Sequence, residues 1–165
     1  MTERDKGSKR FAHAKSFADL VVYQKARTLA RDVFQLTKRF PKEELHSLTD
    51  QWRRAARSIG AQIAEAWGKR RYARHFISKL TDADAEQQET QHWIITAYDC
   101  GHVTRDEAHH LGTQAKQIGA MLGAIIKNAE QFSGETIAPM LQEPTASYFC
   151  EDQNDTAQPE TENRN

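Results

Sequence analysis

The chain has 165 residues, enough for one domain, and 38% of them are hydrophobic while 28% are charged. This balance suits amphipathic helices with wide solvated faces, and eight glycines and four prolines are too few for the turns of an all-β chain. Cys100 and Cys150 show no CxxC spacing, which argues against a disulfide framework, and no apolar run approaches the ~20 residues that span a bilayer. With no apolar leader segment near Met1, we expect a cytoplasmic protein with no membrane partner.

Apolar residues recur at alternating steps of three and four in four stretches, which predicts four helices. The first follows a capping box of Ser16 and Asp19 and ends at Phe40-Pro41, because the residue before proline resists the α region. The predicted core positions of this helix are Val22, Ala26, Leu29, Val33, Leu36 and Phe40.

The second helix is predicted to begin at Ser47, with Asp50 completing a capping box, and to stop at Gly68. The third helix is predicted over Tyr72–Asp99, and Gly101, two residues later, is predicted to end it. Their predicted core positions are Leu48, Trp52, Ala55, Ile59, Ile63 and Ala66 on the second helix, and Ala73, Phe76, Leu80, Ala83, Gln87, Thr90, Ile94 and Ala97 on the third.

The fourth helix is predicted to begin at Thr104, with Glu107 as the reciprocal cap, and to stop at Ser133-Gly134. Its predicted core positions are Ala108, Leu111, Ala115, Ile118, Leu122, Ile125, Ala129 and Phe132. Short connections favour antiparallel packing of sequential helices. We therefore predict an all-α, up-down-up-down four-helix bundle over residues 16–133, with a disordered segment at 1–15 and an acidic disordered tail at 134–165.

The formal net charge is zero, but the charges are unevenly distributed. Residues 51–80 are strongly basic and contain a single acid, Glu65, whereas residues 134–165 are acidic and contain a single basic residue, Arg164. Seven basic residues lie on the second helix and at its junction with the third: Arg53, Arg54, Arg57, Lys69, Arg70, Arg71 and Arg74.

Those seven cations are the best candidate for a binding site. Guanidinium groups neutralise phosphates, and the aromatic residues Trp67 and Tyr72 beside them could stack on unpaired bases, which suits RNA with exposed loops. The alternative is a solvated face, with Trp67 packed in the core and the arginines paired with acids of a neighbouring helix or subunit. The residues alone leave both interpretations open.

A metal site or an enzyme has weaker support. Glu89-x-x-His92 and Glu107-x-x-His110 have the spacing of di-iron motifs, but helical rise places Glu89 about 18 Å below the turn between the third and fourth helices and Glu107 only about 4–5 Å below it. Cys100 and His102 lie two residues apart at a turn, with no third group to orient them. We therefore expect no catalytic residues, no metal and no cofactor.

Sequence motifs in order along the chain resemble one known family. They are Phe17-Ala18-Asp19-Leu20-Val21-Val22-Tyr23-Gln24-Lys25-Ala26, Phe40-Pro41, Leu48-Thr49-Asp50-Gln51-Trp52-Arg53-Arg54-Ala55-Ala56-Arg57-Ser58-Ile59, Gln62-Ile63-Ala64-Glu65, Glu89-Thr90-Gln91 and Asp99-Cys100-Gly101-His102. Over residues 16–132 the chain resembles the 23S ribosomal RNA intervening-sequence proteins, which are related to the accessory protein of diversity-generating retroelements.

The resemblance implies a left-handed four-helix bundle and a ring-shaped homo-oligomer, with a pentamer as the expected size. It brings no catalytic residues. Two functions remain open: a non-enzymatic oligomeric bundle that binds RNA or DNA through the seven basic residues, or a protein-interaction scaffold, such as an accessory subunit of a reverse transcriptase, without direct nucleic-acid contact.

Overall fold

The computed structural model describes residues 14–129, and its main elements are four helices. Helix α1 spans Val21–Thr37, α2 spans Leu48–Lys69, α3 spans Ala73–Asp99 and α4 spans Arg105–Lys127. Short 3-10 turns at Phe17–Asp19 and Lys42–Glu44 precede α1 and α2, and no strand occurs between residues 14 and 129. The prediction of an all-α bundle is confirmed.

Each helix packs against the next one in the chain, and α1 also packs against α4, so that the four enclose one core. Side-chain contacts join the end of one helix to the beginning of its neighbour. Lys79 near the beginning of α3 pairs with Glu65 near the end of α2, and Arg39 just after α1 pairs with Glu107 in the first turn of α4. Antiparallel neighbours are expected to make such contacts.

The predicted core positions are confirmed along nearly the whole bundle. All six on α2 and all eight on α3 are buried, including the polar residues Gln87 and Thr90. Leu36, Phe40 and Ala108 are half-buried at the margins of the core. Burial of this apolar stripe supplies most of the stability of each helix, because isolated helices of such length are marginal in water.

Two predictions about helix ends are wrong, and a third is confirmed. The capping box of Ser16 and Asp19 forms just ahead of α1, where it encloses the 3-10 turn, and α1 itself begins after Leu20 without a side-chain cap. The capping box of Ser47 and Asp50 is absent, because the Ser47 hydroxyl donates to the Glu44 carboxylate instead. Gly68 lies inside α2, since one glycine costs a helix about 1 kcal/mol without ending it.

Two other helix ends form as predicted. Gly101 has φ of +73°, a conformation that favours glycine, directly after α3. The Thr104 hydroxyl accepts from the backbone N–H of Glu107, whose carboxylate accepts from the backbone N–H of Thr104 at 2.8 Å. The predicted stop at Ser133-Gly134 and the tail at 134–165 lie outside the described residues, as does the segment 1–15 apart from its last two residues. Within residues 14–129, no helix is both long and apolar enough to cross a bilayer.

Candidate nucleic-acid interface

The structure separates the seven basic residues predicted as a site into two clusters. The α2 cluster consists of Arg53, Arg54 and Arg57, in the first half of α2. The corner cluster consists of Lys69, Arg70, Arg71 and Arg74, around the turn from α2 to α3. The twelve residues from Arg57 to Lys69 correspond to about 18 Å of helical rise, so any single ligand of both clusters must be extended.

In the α2 cluster, partial burial and a hydrogen bond to α1 distinguish one arginine from the other two. The guanidinium of Arg53 lies 4.8 Å from the centroid of the Phe34 ring, and its Nε donates to the Thr37 hydroxyl at 2.7 Å. Arg53 is half-buried, and these contacts tie α2 to α1. Arg54 and Arg57 are exposed, with the Arg57 guanidinium 5.6 Å from the same ring. Arg54 and Arg57 are therefore the cations that this cluster presents to solvent.

Lys38 is a cation of this surface that the sequence analysis missed. Its Nζ lies 4.8 Å from the centroid of the Phe34 ring, which thus carries positive groups from both α1 and α2. The spacing of Phe34 and Lys38 is the i, i+4 spacing of neighbours on a helix face. That local signal was available, but only packing brings the end of α1 beside the beginning of α2.

In the corner cluster, Arg70 is likewise used within the bundle. Its guanidinium lies 4.4 Å from the centroid of the Trp67 ring, and its Nη1 donates to the Trp67 carbonyl at 2.8 Å. This carbonyl lies in the last turn of α2 and also accepts, at 3.4 Å, from the backbone N–H of Arg70. Lys69, Arg71 and Arg74 are exposed. The corner cluster therefore presents three exposed cations and one that is held against the protein.

A strip of small residues connects the two clusters along α2. Arg57, Ala61, Ala64 and Gly68 follow one another at steps of four and three and therefore share a face of α2, which ends at Lys69, just before the corner cluster continues into the turn. Ala61 and Gly68 are exposed, and a Cβ added to Gly68 would meet no atom within 4 Å. Ala61, Ala64 and Gly68 themselves carry no side chain longer than a methyl group, so an extended ligand can approach the helix backbone there, beside the exposed Glu65 that pairs with Lys79.

The cations of both clusters lack ion-pair partners within the described part of the chain. No carboxylate of residues 14–129 lies within ion-pair distance of any of the seven. Nearby Lys79 shows the contrast: its Nζ lies 3.0 Å from Glu65 and 3.3 Å from Asp82, and these hydrogen bonds raise its pKa. Burial raises the pKa of Glu86, and the positive charge of Arg54 opposes that shift without forming an ion pair.

The residues of the two Glu-x-x-His motifs have structural partners. Glu89 accepts a hydrogen bond from the Trp93 indole at 2.9 Å. Glu107 accepts from Arg39 and from the Thr104 backbone, and these bonds lower its pKa to about 2. Among residues 14–129, no three metal-ligating side chains come together in one place.

Cys100 and His102 are placed at the end of the bundle. The His102 ring packs on Phe40, with centroids 5.1 Å apart, and its Nε2 lies 3.5 Å from the Glu44 carboxylate. Cys100 is exposed. His102 therefore links the α3–α4 turn to the α1–α2 connection, and this packing accounts for its position without catalysis.

A groove between α3 and α4 is a second surface feature that the sequence analysis missed. It has a volume of about 350 Å³, and its walls include Ile94, Ile95 and Tyr98 of α3 and Gly112 and Lys116 of α4. Ile95 is 60% exposed and Tyr98 47%. The helical pattern assigned these two residues to the outer side of α3 but could not show that Gly112 opens a groove beside them.

The fold and these surfaces define an all-α four-helix bundle with two basic clusters on one helix and its following turn. Residues 18–124 match the family described as 23S rRNA-intervening sequence protein, and the chain belongs to this family. The resemblance found in the sequence is thereby confirmed.

A solved structure from Bacteroides thetaiotaomicron, described as a protein with unknown function from the S23 ribosomal protein family, is similar to this chain. The two are 30% identical with a TM-score of 0.60, and the match covers 65% of this chain and 96% of the other. None of the curated proteins compared with the sequence matches it.

Proposed function

We propose that this chain is a non-enzymatic, homo-oligomeric bundle protein that binds RNA or other nucleic acid through the α2 cluster and the corner cluster. The observation that carries the proposal is a set of five exposed cations with no carboxylate partner among residues 14–129. They are Arg54, Arg57, Lys69, Arg71 and Arg74.

A polyanion is the ligand that such a surface favours. Each cation that contacts a phosphate releases a counterion condensed on the nucleic acid, and this release supplies most of the sequence-independent affinity. The strip of small residues between the clusters allows a sugar-phosphate backbone to approach α2. The family to which the chain belongs takes its name from 23S rRNA, which makes RNA the first ligand to test.

Oligomerisation would strengthen binding by a surface of this kind. A ring of identical subunits, with five as the number expected from the resemblance, would repeat both clusters around an axis. Weak contacts then act together, because each binding event after the first is intramolecular. Light scattering coupled to size exclusion would measure the subunit number, and a monomer at working concentrations would remove this part of the proposal.

The test of the site compares two variants that lose equal charge. The first replaces four exposed site cations by Gln: Arg54, Arg57, Arg71 and Arg74. The control replaces four exposed cations elsewhere by Gln: Arg27, Arg105, Lys116 and Lys127. Arg53 and Arg70 are left intact because Arg53 bonds to Thr37 at the end of α1 and Arg70 bonds to the Trp67 carbonyl near the end of α2.

Fluorescence anisotropy with a labelled structured RNA, measured over a range of salt concentrations, gives the affinity and its salt dependence. Four lost phosphate contacts should reduce the slope of log K against log salt by about 3, at ~0.7–0.9 per contact. The control should keep a slope close to that of the wild type. Equal slopes for the wild type and the site variant would exclude this surface as the phosphate-binding site.

The groove between α3 and α4 favours a second candidate, a protein-interaction scaffold or accessory subunit without direct nucleic-acid contact. Its exposed Ile95 and Tyr98, with Lys116 at the side, suit a partner helix that has an apolar face and an adjacent acid. Co-purification of a stoichiometric protein partner, such as a reverse transcriptase, would support this candidate if the complex survives nuclease treatment and is lost in Ile95→Asp. Nucleic-acid binding unaffected by that substitution would separate the two candidates.

A further inference from the structure

The two aromatic residues beside the corner cluster differ in what covers them. Trp67 is half-buried and packs against the core, and the Arg70 guanidinium lies over its ring. Tyr72 is 63% exposed, the highest value among the large hydrophobic side chains of residues 14–129. The sequence analysis named both rings and left open that Trp67 packs in the core; of the two, only Tyr72 presents a largely exposed aromatic surface to solvent.

The backbone that carries Tyr72 is firmly held. Its N–H donates to the Lys69 carbonyl at 2.9 Å, and its carbonyl accepts from the Phe76 N–H at 2.9 Å. The next residue, Ala73, is fully buried, and Phe76 is 6% exposed. Tyr72 therefore projects from a rigid turn, so a ligand that contacts its ring need not order the backbone first.

The aromatic contact of Tyr72 within the described part of the chain is with His75, also exposed. The two ring centroids are 6.1 Å apart and the planes meet at 87°, so the rings are not stacked face to face. A flat ligand could therefore lie parallel to the tyrosine ring. Aromatic side chains of nucleic-acid-binding proteins offer unpaired bases a platform of this kind.

The positive charges around Tyr72 indicate that a ligand with a flat aromatic group should also carry negative charge. Lys69, Arg71 and Arg74 are exposed and lie within three residues of it, without carboxylate partners in residues 14–129. A nucleotide joins a flat aromatic base to a phosphate and can use both features together. Inside a duplex each base is stacked between its neighbours, so the ring has access to the unpaired bases of single strands, loops and overhanging ends.

We infer that Tyr72 is a stacking platform for an unpaired base, and that the corner cluster binds single-stranded nucleotides in preference to a continuous duplex. This inference rests on the proposed nucleic-acid binding and adds the structural class of the ligand. Phosphates pair with the exposed cations beside the ring, while the base lies against it. No base-specific hydrogen bond is involved, so the preference is for unpaired structure rather than sequence.

The experiment uses the full chain with a labelled 12-nucleotide RNA that has no self-complementarity and with a blunt duplex of the same length. Tyr72→Ala should weaken binding to the single strand by about 5- to 100-fold and change binding to the duplex by no more than about twofold. Tyr72→Phe should bind like the wild type because it retains the ring. Tyr98→Ala removes another exposed tyrosine, at the α3–α4 groove, and serves as the matched control.

A second measurement changes the RNA and compares the wild type with Tyr72→Ala. Replacing the bases of the RNA by abasic sites should weaken wild-type binding by a similar factor, and this loss should disappear in Tyr72→Ala. If the wild type binds RNA, but Tyr72→Ala weakens binding to the single strand and to the duplex equally or leaves both unchanged, the stacking role is wrong while the proposed function stands. If the wild type binds neither RNA, the proposed function fails and this inference fails with it.

Discussion

Gly119 of α4 provides a sharp test of how α3 and α4 pack. A Cβ added there would lie 2.9 Å from the Oε1 of Gln87 and 3.2 Å from its Cδ. Gln87 is only 1% exposed, so its amide must shift among the atoms packed between α3 and α4 to make room. We expect Gly119→Ala to force a rearrangement of buried atoms at the centre of the bundle.

Two opposing contributions determine the size of the effect. Alanine is about 1 kcal/mol more favourable than glycine inside a helix, while overpacking a buried site costs about 1–3 kcal/mol. Gly119→Ala should therefore change the free energy of unfolding by between zero and a loss of about 2 kcal/mol. After Gln87→Ala the obstructing amide is gone, and the same substitution should stabilise the protein by about 1 kcal/mol. The coupling energy between the two positions is thus about 1–3 kcal/mol.

Gly123, one turn further along α4, is the matched control, because a Cβ added there would meet no atom within 4 Å. Gly123→Ala should stabilise the wild type and Gln87→Ala alike, by about 1 kcal/mol. Urea unfolding followed by far-UV circular dichroism gives all the required free energies. Equal gains from Gly119→Ala and Gly123→Ala in the wild-type background would refute the close contact between Gly119 and Gln87.

Three further predictions concern the ends and faces of the helices. The pKa of Glu107 in the folded protein is about 2, below its ordinary value of 4.5. Its bonds to Arg39 and the Thr104 backbone should therefore stabilise the fold above about pH 4.5 and cease to do so as the pH falls towards 2. In urea titrations, Glu107→Gln should lower the free energy of unfolding by about 1 kcal/mol at neutral pH, allowing for solvent screening, and by almost nothing near pH 2. A loss of stability that does not depend on pH would contradict this. Gly101→Ala should cost about 1–2 kcal/mol because of the positive φ, measured as a lower unfolding midpoint, and an unchanged midpoint would count against the strain. Arg53→Gln should destabilise by about 1 kcal/mol through the lost bond to α1, whereas Arg54→Gln should stay within about 0.5 kcal/mol; equal effects in thermal unfolding would show that the structural assignment of Arg53 is wrong.

The sequence by itself determined the four helices and the composition of the core. The positions that face inward follow from the period of the α-helix, which is a local property of the chain. This holds even for the polar layer of α3, where Gln87 and Thr90 were assigned to the core by spacing alone and are buried. The Thr104–Glu107 cap and the Gly101 turn were predictable for the same reason, since both depend on neighbouring residues.

The failures at helix ends depend on partners that spacing does not reveal. Ser47 could pair with Asp50 on one side or Glu44 on the other, and the 3-10 turn before α2 decides for Glu44. Gly68 could have ended α2, but the helix continues to Lys69 before turning into α3. In each case several local arrangements are close in energy, and the tertiary structure selects among them.

Only the tertiary structure decided which members of the basic surface are available to a ligand. Arg53 and Arg54 are adjacent in sequence, yet Arg53 alone bonds to Thr37, because it points towards the end of α1. Trp67 and Tyr72 border the same cluster, yet Trp67 packs against the core while Tyr72 is 63% exposed. Charge and aromaticity are properties of single residues, but exposure depends on the helices packed around them, and the sequence therefore identified the surface without identifying which of its side chains remain free.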